Sequence, residues 1–213
     1  MIITRTPYRV SLFGGGSDLP LWYEKHGGKV VSFSIDKYSY LTLRELPPFF
    51  KHKYRISYSK VETANVIEEI QHPAVRAAFR KIAADMSLEL HHHGDLPAQS
   101  GVGSSSAFAV GLINALSILR GNNKSKSELA QMAIDLEQID LMENVGSQDQ
   151  IACAVGGLNY LEFTKDRSTS IINIILISSL FSLLFRNLIF HESLNYLLNF
   201  IFIHYRFFYT YNF

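Results

Sequence analysis

The sequence predicts an α+β domain built as a two-layer sandwich. Three observations carry this. Alternating segments rich in β-branched and aromatic residues dominate the first half of the chain. Helix-patterned segments follow, one small and apolar over Ala107–Leu119 and another over Glu128–Leu141. A glycine- and serine-rich run, Pro97–Ala107 (PAQSGVGSSSA), joins the two. Strands first and helices after favour α+β over a doubly wound parallel sheet.

Taken in order, Ile2–Phe13 alternates apolar and polar residues around Pro7 and predicts a strand. Gly14-Gly15-Gly16-Ser17-Asp18 predicts a turn. Leu21–His26 reads as a short helix closed by Gly27-Gly28. Val30–Ile35, Tyr38–Leu43 and Tyr54–Tyr58 read as strands, with Pro47-Pro48 breaking the run. Pro73–Met86 predicts a helix with proline in its first turn. Leu88–His92 predicts a strand leading into the serine-rich run. Ala107–Leu119 predicts a helix ended at Gly121. Ser127, with neighbouring Ser125, predicts the cap of a helix over Glu128–Leu141. Leu158–Phe163 closes the globular part as a strand.

The formal charge of +1 over 213 residues gives no electrostatic case for nucleic acid. Cys153, the single cysteine, is flanked by Ile151, Ala152, Ala154 and Val155, so a buried structural thiol in a reducing compartment is expected. The first residues hold a short apolar patch without a secretory h-region, and a cytoplasmic location is expected. His91-His92-His93 invites a metal reading, but adjacent strand residues point to opposite faces and do not converge.

Composition shifts sharply after Thr164. From Ser168 to Phe213 the formal charges are Arg186, Glu192 and Arg206, with no glycine or proline. This predicts a domain over 1–163 and an atypical apolar tail over 164–213. Ser168–Phe185 is uncharged for eighteen residues, which is marginal for a membrane span. The alternative, favoured by the bias toward Ile, Leu, Phe, Asn, Tyr and Ser, is a terminus translated out of frame.

The serine-rich run supplies the chemistry. A glycine turn lets successive N–H groups point into one space, and a helix behind it adds free amides and a positive dipole end. Together they suit phosphate. The plainer reading is a serine-capped helix after a loop. No lysine follows Gly103, so this is not a Walker A loop, and the glycine spacing does not fit GxGxxG. Phosphoryl transfer also needs carboxylates, a cation and a hydroxyl for Mg²⁺. The chain offers Gly101–Ser105 amides, Ser105 with Glu137, Arg9 and Asp149. Singly, each has an ordinary alternative: a surface cation for Arg9, a solvated helix face for Glu137, a helix cap for Asp149.

Three segments in order resemble the motifs of the GHMP kinase superfamily. PAQSGVGSSSAFAVGLINAL is similar to its second motif. TPYRVSLFGGGSDLP is similar to its first, in the GGGSD form of sugar-kinase members. LEQIDLMENVGSQDQIACAVGGLNYLEF is similar to a segment of the heptose 7-phosphate kinase and bacterial fucokinase branches. The resemblance covers roughly 1–163.

It implies a ribosomal protein S5 domain 2-like fold and MgATP-dependent transfer to a sugar hydroxyl. The heptose branch would use D-glycero-D-manno-heptose 7-phosphate and form the 1,7-bisphosphate; L-fucose or galactose are the alternative acceptors. It implies nucleotide contacts from Pro97, Ser100, Gly101, Val102, Gly103, Ser104, Ser105 and Ser106. It makes Ser105 and Glu137 the Mg²⁺ ligands and Asp149 the base, or the group orienting the acceptor hydroxyl. Arg9 would neutralise charge beside it. Gly15, Gly16, Ser17 and Asp18 would contact the sugar. Family members continue with a third glycine-rich motif, whereas here no glycine follows Gly157, so weak or no turnover is expected. A reading from another class is a non-catalytic nucleotide- or sugar-binding protein with a membrane-associated tail.

Overall fold

The computed structural model describes residues 1–98 and 100–174. Their elements form a seven-stranded mixed sheet with helices packed on it. Strand β1 (Ile2–Phe13) pairs antiparallel with β2 (Gly28–Glu45) along most of its length. The opposite edge of β2 pairs antiparallel with two strands. Its first half takes β6 (Leu158–Phe163) and its second half takes β5 (Leu88–Gly94). Strand β3 (Tyr54–Ser57) lies parallel to β5 and antiparallel to β4 (Val61–Ala64). Strand β7 (Thr169–Asn173) adds to β6. The sheet therefore extends past Phe163, where the globular part was expected to end. The uncharged run Ser168–Phe185 lies, from position 175 on, outside the described residues.

The two strands expected at Val30–Ile35 and Tyr38–Leu43 are one continuous β2. What hid this is a register break: as β1 advances from Pro7 to Arg9, its partner on β2 moves from Tyr38 to Ser34. Such an irregularity re-aims side chains locally. Before it, buried Thr4 and Thr6 alternate with exposed Ile3 and Arg5, as in a sheet covered on one face. After it, Tyr8 and Arg9 are buried in succession.

Helix α1 (Pro20–His26) carries proline at its start and ends at Gly27, whose φ of 75° suits glycine. Helix α2 is Pro73–Ile82, also with proline in its first turn. Helix α3 (Ser104–Leu119) begins three residues before the expected Ala107 and is apolar almost all round. That composition fits its place, packed against β1 and β2 on one side and α2, α4 (Lys126–Asp135) and α5 (Gln148–Val155) on the others. Ser125, not Ser127, caps α4: its Oγ accepts from Glu128 N at 3.2 Å while Ser125 N donates to the Glu128 carboxylate at 2.8 Å. A π-helical turn, Leu136–Asp140, continues α4.

Gly111 sets how closely α3 approaches the sheet. A Cβ there would lie 2.9 Å from Thr6 Oγ1 and 3.1 Å from Leu41 Cδ1. Thr4 Oγ1 donates to the Gly111 carbonyl at 3.1 Å. His92 faces the same core, stacked edge-on against Phe108 and 3.1 Å from Ser39 Oγ, while His91 pairs with Glu89 on the other face. His92 thus points to the face opposite His91 and His93, as strand alternation requires.

Gly111→Val is expected to destabilise the fold by about 1–3 kcal/mol, because overpacking here forces α3 off the sheet. Thermal unfolding would show this as a drop of roughly 2–10 °C. An unchanged midpoint would mean that α3 is not seated on Thr4 and Thr6.

Candidate active site

The loop residues 100–103 enter α3 through Gly103, whose φ of 73° is left-handed. Ser100 Oγ donates to the Pro97 carbonyl at 2.8 Å, closing the loop on itself. Gly101 is exposed with a φ of 76°. The Val102 carbonyl accepts from Arg9 N at 3.1 Å, which ties the loop to β1. No side chain among the described residues caps the start of α3. The amides of Ser104, Ser105 and Ser106 precede the first intrahelical bond, Ala107 N to Gly103 O. Three donors and a positive dipole end therefore face the loop.

Arg9 stands beside this opening. Its Nη1 donates to the Gly101 carbonyl at 3.0 Å and its Nε to Asp149 Oδ1 at 2.8 Å. Its Nη2 pairs with the other oxygen of Asp149. This two-bond fork fixes the plane of the carboxylate. Gly103 leaves room for it: a Cβ there would sit 3.4 Å from the Arg9 side chain. The Asp149 side chain keeps 26% of its surface exposed, against 11% for Arg9.

Glu137, on the π-helical turn, is 3% exposed. Its Oε2 accepts from Ser106 Oγ at 2.9 Å and from Gln150 Nε2. Burial pushes its carboxyl above the usual range against the pull of those two bonds, and the nearby Glu143 and Asp149 charges push the same way. Glu137 is thus not on a solvated face. Ser106 makes the direct hydrogen bond to Glu137, and Ser105 is exposed one helical step of about 100° away. Ser105 and Glu137 flank the same helix start without touching.

The first turn also differs from expectation. Ser17 Oγ donates to the Gly14 and Lys29 carbonyls at 2.7 and 3.2 Å and accepts from Lys29 N at 3.1 Å. Asp18 is 2% exposed. It accepts from Gly16 N at 3.1 Å, and from Gln148 N and Gln148 Nε2 at 3.0 Å each. Both side chains expected to meet the sugar are committed to the scaffold. Gly15 and Gly16 remain exposed at the turn's tip. Cys153 is buried as expected, its Sγ 4.0 Å from the Gly103 carbonyl, and burial pushes the thiol up. Gln148 and Gln150 are the residues that sequence reasoning missed. Their only sequence signal was adjacency to Asp149.

The site thus unites a helix start with free amides, a buried carboxylate and an arginine-held carboxylate. Residues 65–157 match the family model described as GHMP kinases N terminal domain. This stretch is a GHMP kinase N-terminal domain. The chain is 31% identical over 175 residues to D-glycero-alpha-D-manno-heptose 7-phosphate kinase of Campylobacter jejuni, covering 78% of this chain and 52% of that protein. It is 30% identical over 141 residues to mevalonate kinase of Pyrococcus horikoshii, covering 66% of this chain and 37% of that one. The crystal structure of a D-glycero-D-manno-heptose 1-phosphate kinase from Bacteroides thetaiotaomicron shares the fold, with a TM-score of 0.74 at 24% identity. That match covers 83% of this chain and 61% of the other. The chain therefore spans about half the length, 52%, of the heptose kinase it matches.

Because the Glu137 carboxyl protonates more readily folded than unfolded, its contribution to stability is greatest at acid pH. That contribution is lost as pH rises through the raised value. Glu137→Gln is therefore expected to match the parent near pH 4 and to outlast it on heating at pH 8. The gap should open as pH rises from the ordinary carboxyl range through the raised value and stay level above it. A parent that is the more stable of the two at pH 8 would contradict the assignment.

Proposed function

We propose that this chain is the nucleotide-binding half of an ATP-dependent sugar kinase of the GHMP family. The reading best supported for the acceptor is D-glycero-D-manno-heptose 7-phosphate, phosphorylated at its anomeric hydroxyl. The heptose kinase match supports this acceptor over L-fucose and galactose. One observation carries the reading: the uncapped start of α3 opens beside the Arg9–Asp149 fork.

The residues fit MgATP. The Ser104–Ser106 amides suit the β- and γ-phosphates, and the left-handed Gly103 brings the backbone close without a side chain in the way. Glu137 and the exposed Ser105 hydroxyl are oxygen donors of the kind Mg²⁺ takes. When bound, Mg²⁺ neutralises charge on the phosphate oxygens. Arg9 holds the Asp149 carboxylate in a fixed plane beside that opening. Asp149 orients the acceptor hydroxyl and receives its proton while the hydroxyl oxygen bonds to the γ-phosphorus and the β–γ bridging P–O bond breaks, ADP leaving with the bridging oxygen. Gly15 and Gly16, at the tip of the first turn, leave the space in which a sugar would lie. The reaction class needs little covalent chemistry from the protein, and positioning suffices.

Gly103→Val tests the reading. A branched side chain cannot adopt a φ of 73° easily and would collide with Arg9. Titration with Mg·AMP-PNP is expected to show at least roughly tenfold weaker binding than the parent chain, with circular dichroism unchanged. Equal affinity in the two proteins would place the phosphates elsewhere. ADP release under single turnover, with heptose 7-phosphate, L-fucose and galactose in parallel, is expected to be fastest with the heptose phosphate.

A further inference from the structure

We propose that Asp18 is a positioning residue: it caps α5 from a remote segment and so decides where Asp149 stands. The inference rests on the reading of Asp149 as the group facing the acceptor. It replaces a sugar-contact role for Asp18 with an action through the helix.

Helix α5 starts without a local cap. The side chain of Ser147, at its N-cap, makes no capping bond and instead accepts from Gln138 Nε2 at 3.1 Å. The cap comes from 130 residues away. Asp18 Oδ2 accepts from the first-turn amide Gln148 N, and Oδ1 accepts from Gln148 Nε2, both at 3.0 Å. A carboxylate at that end both satisfies an orphan amide and complements the helix dipole. With Gly16 N on Oδ1 as well, three donors hold a carboxylate that is 2% exposed. Almost nothing of it is offered to solvent.

Gly146 is shaped to this contact. A Cβ on it would lie 1.8 Å from Asp18 Oδ2 and 2.4 Å from Cγ. Its backbone is not in the left-handed region, so the approach of Asp18 is what calls for glycine here. The residue after Gln148 is Asp149. A shift in the start of α5 would move Asp149 against Arg9, which is anchored independently to Gly101 and Val102. The first turn and Asp149 are thus one mechanical unit.

The test is Asp18→Asn, which keeps the shape and turns one acceptor into a donor. The Arg9 Nε–H, bonded to Asp149, is followed by NMR hydrogen exchange. It is expected to exchange at least roughly tenfold faster in Asp18→Asn than in the parent. Single-turnover phosphoryl transfer should fall by roughly tenfold to a hundredfold with acceptor affinity unchanged, and should fall no further when Asp149→Asn is already present. An unmoved Arg9 Nε–H together with weakened acceptor binding would make Asp18 a sugar ligand and overturn the proposal. A responsive Arg9 Nε–H in a parent chain that fails to bind Mg·AMP-PNP would leave the positioning role standing and sink the kinase reading instead. Gly146→Ala gives a second arm. It should destabilise the parent chain but be tolerated in an Asp18→Gly background, where the added methyl finds space. Equal damage in both backgrounds would refute the contact.

Discussion

The ion pair of Arg9 with Asp149 is the contact on which the geometry of this site depends. It spans 140 residues of sequence and joins β1 to α5. A partly buried arginine–carboxylate fork is costly to break from one side, because the remaining charge stays desolvated. Arg9 therefore cannot leave Asp149 without a replacement. It is also held at its backbone by Val102 and at Nη1 by Gly101. The same residue thus fixes both the carboxylate and the lip of the glycine loop, and a change in either is felt by the other.

Around that pair, three successive residues of α5 each reach a different segment. Gln148 bonds to Asp18 in the first turn, Asp149 to Arg9 on β1, and Gln150 to Glu137 on the π-helical turn. Successive residues on a helix point about 100° apart, so a single turn can address three directions. Cys153, a turn further on, packs under Gly103. A short helix thereby acts as the hub for the three motif segments. The cost appears at Glu137, whose burial opposes its own ionisation. Stability given up at a buried carboxylate is a common signature of a site built for a ligand.

Much of this was legible in the sequence and some was not, for physical reasons. Strands β1, β3, β5 and β6 showed through alternation, and α3 through its unbroken apolar surface after a glycine turn. β2 was split in two because its register break at Ile35–Lys37 interrupts the alternation, and local pattern cannot see that β1 continues to pair across the gap. α5 gave no start signal because its cap is Asp18, far away in sequence. That Ser106 rather than Ser105 bonds Glu137 could not be read from composition, since adjacent serines differ only in helical phase. The structure gathers Arg9, Asp149 and Glu137 about the starts of α3 and α5, a juxtaposition that charged residues beside glycine turns suggest only in combination. The scaffold bonds of Ser17 and Asp18 are not legible locally, because their partners Lys29 and Gln148 lie 12 and 130 residues away.

The central claim is that the α3 amides and the Arg9–Asp149 fork serve one bound nucleotide and the hydroxyl that attacks it. A crystal structure of the chain with Mg·AMP-PNP tests this most directly. The terminal phosphates are expected within hydrogen-bond distance of the Ser104–Ser106 amides, with the cation between them and Glu137, and with Asp149 facing the γ-phosphate. A nucleotide bound away from the loop, or one whose γ-phosphate is turned away from Asp149, would contradict it.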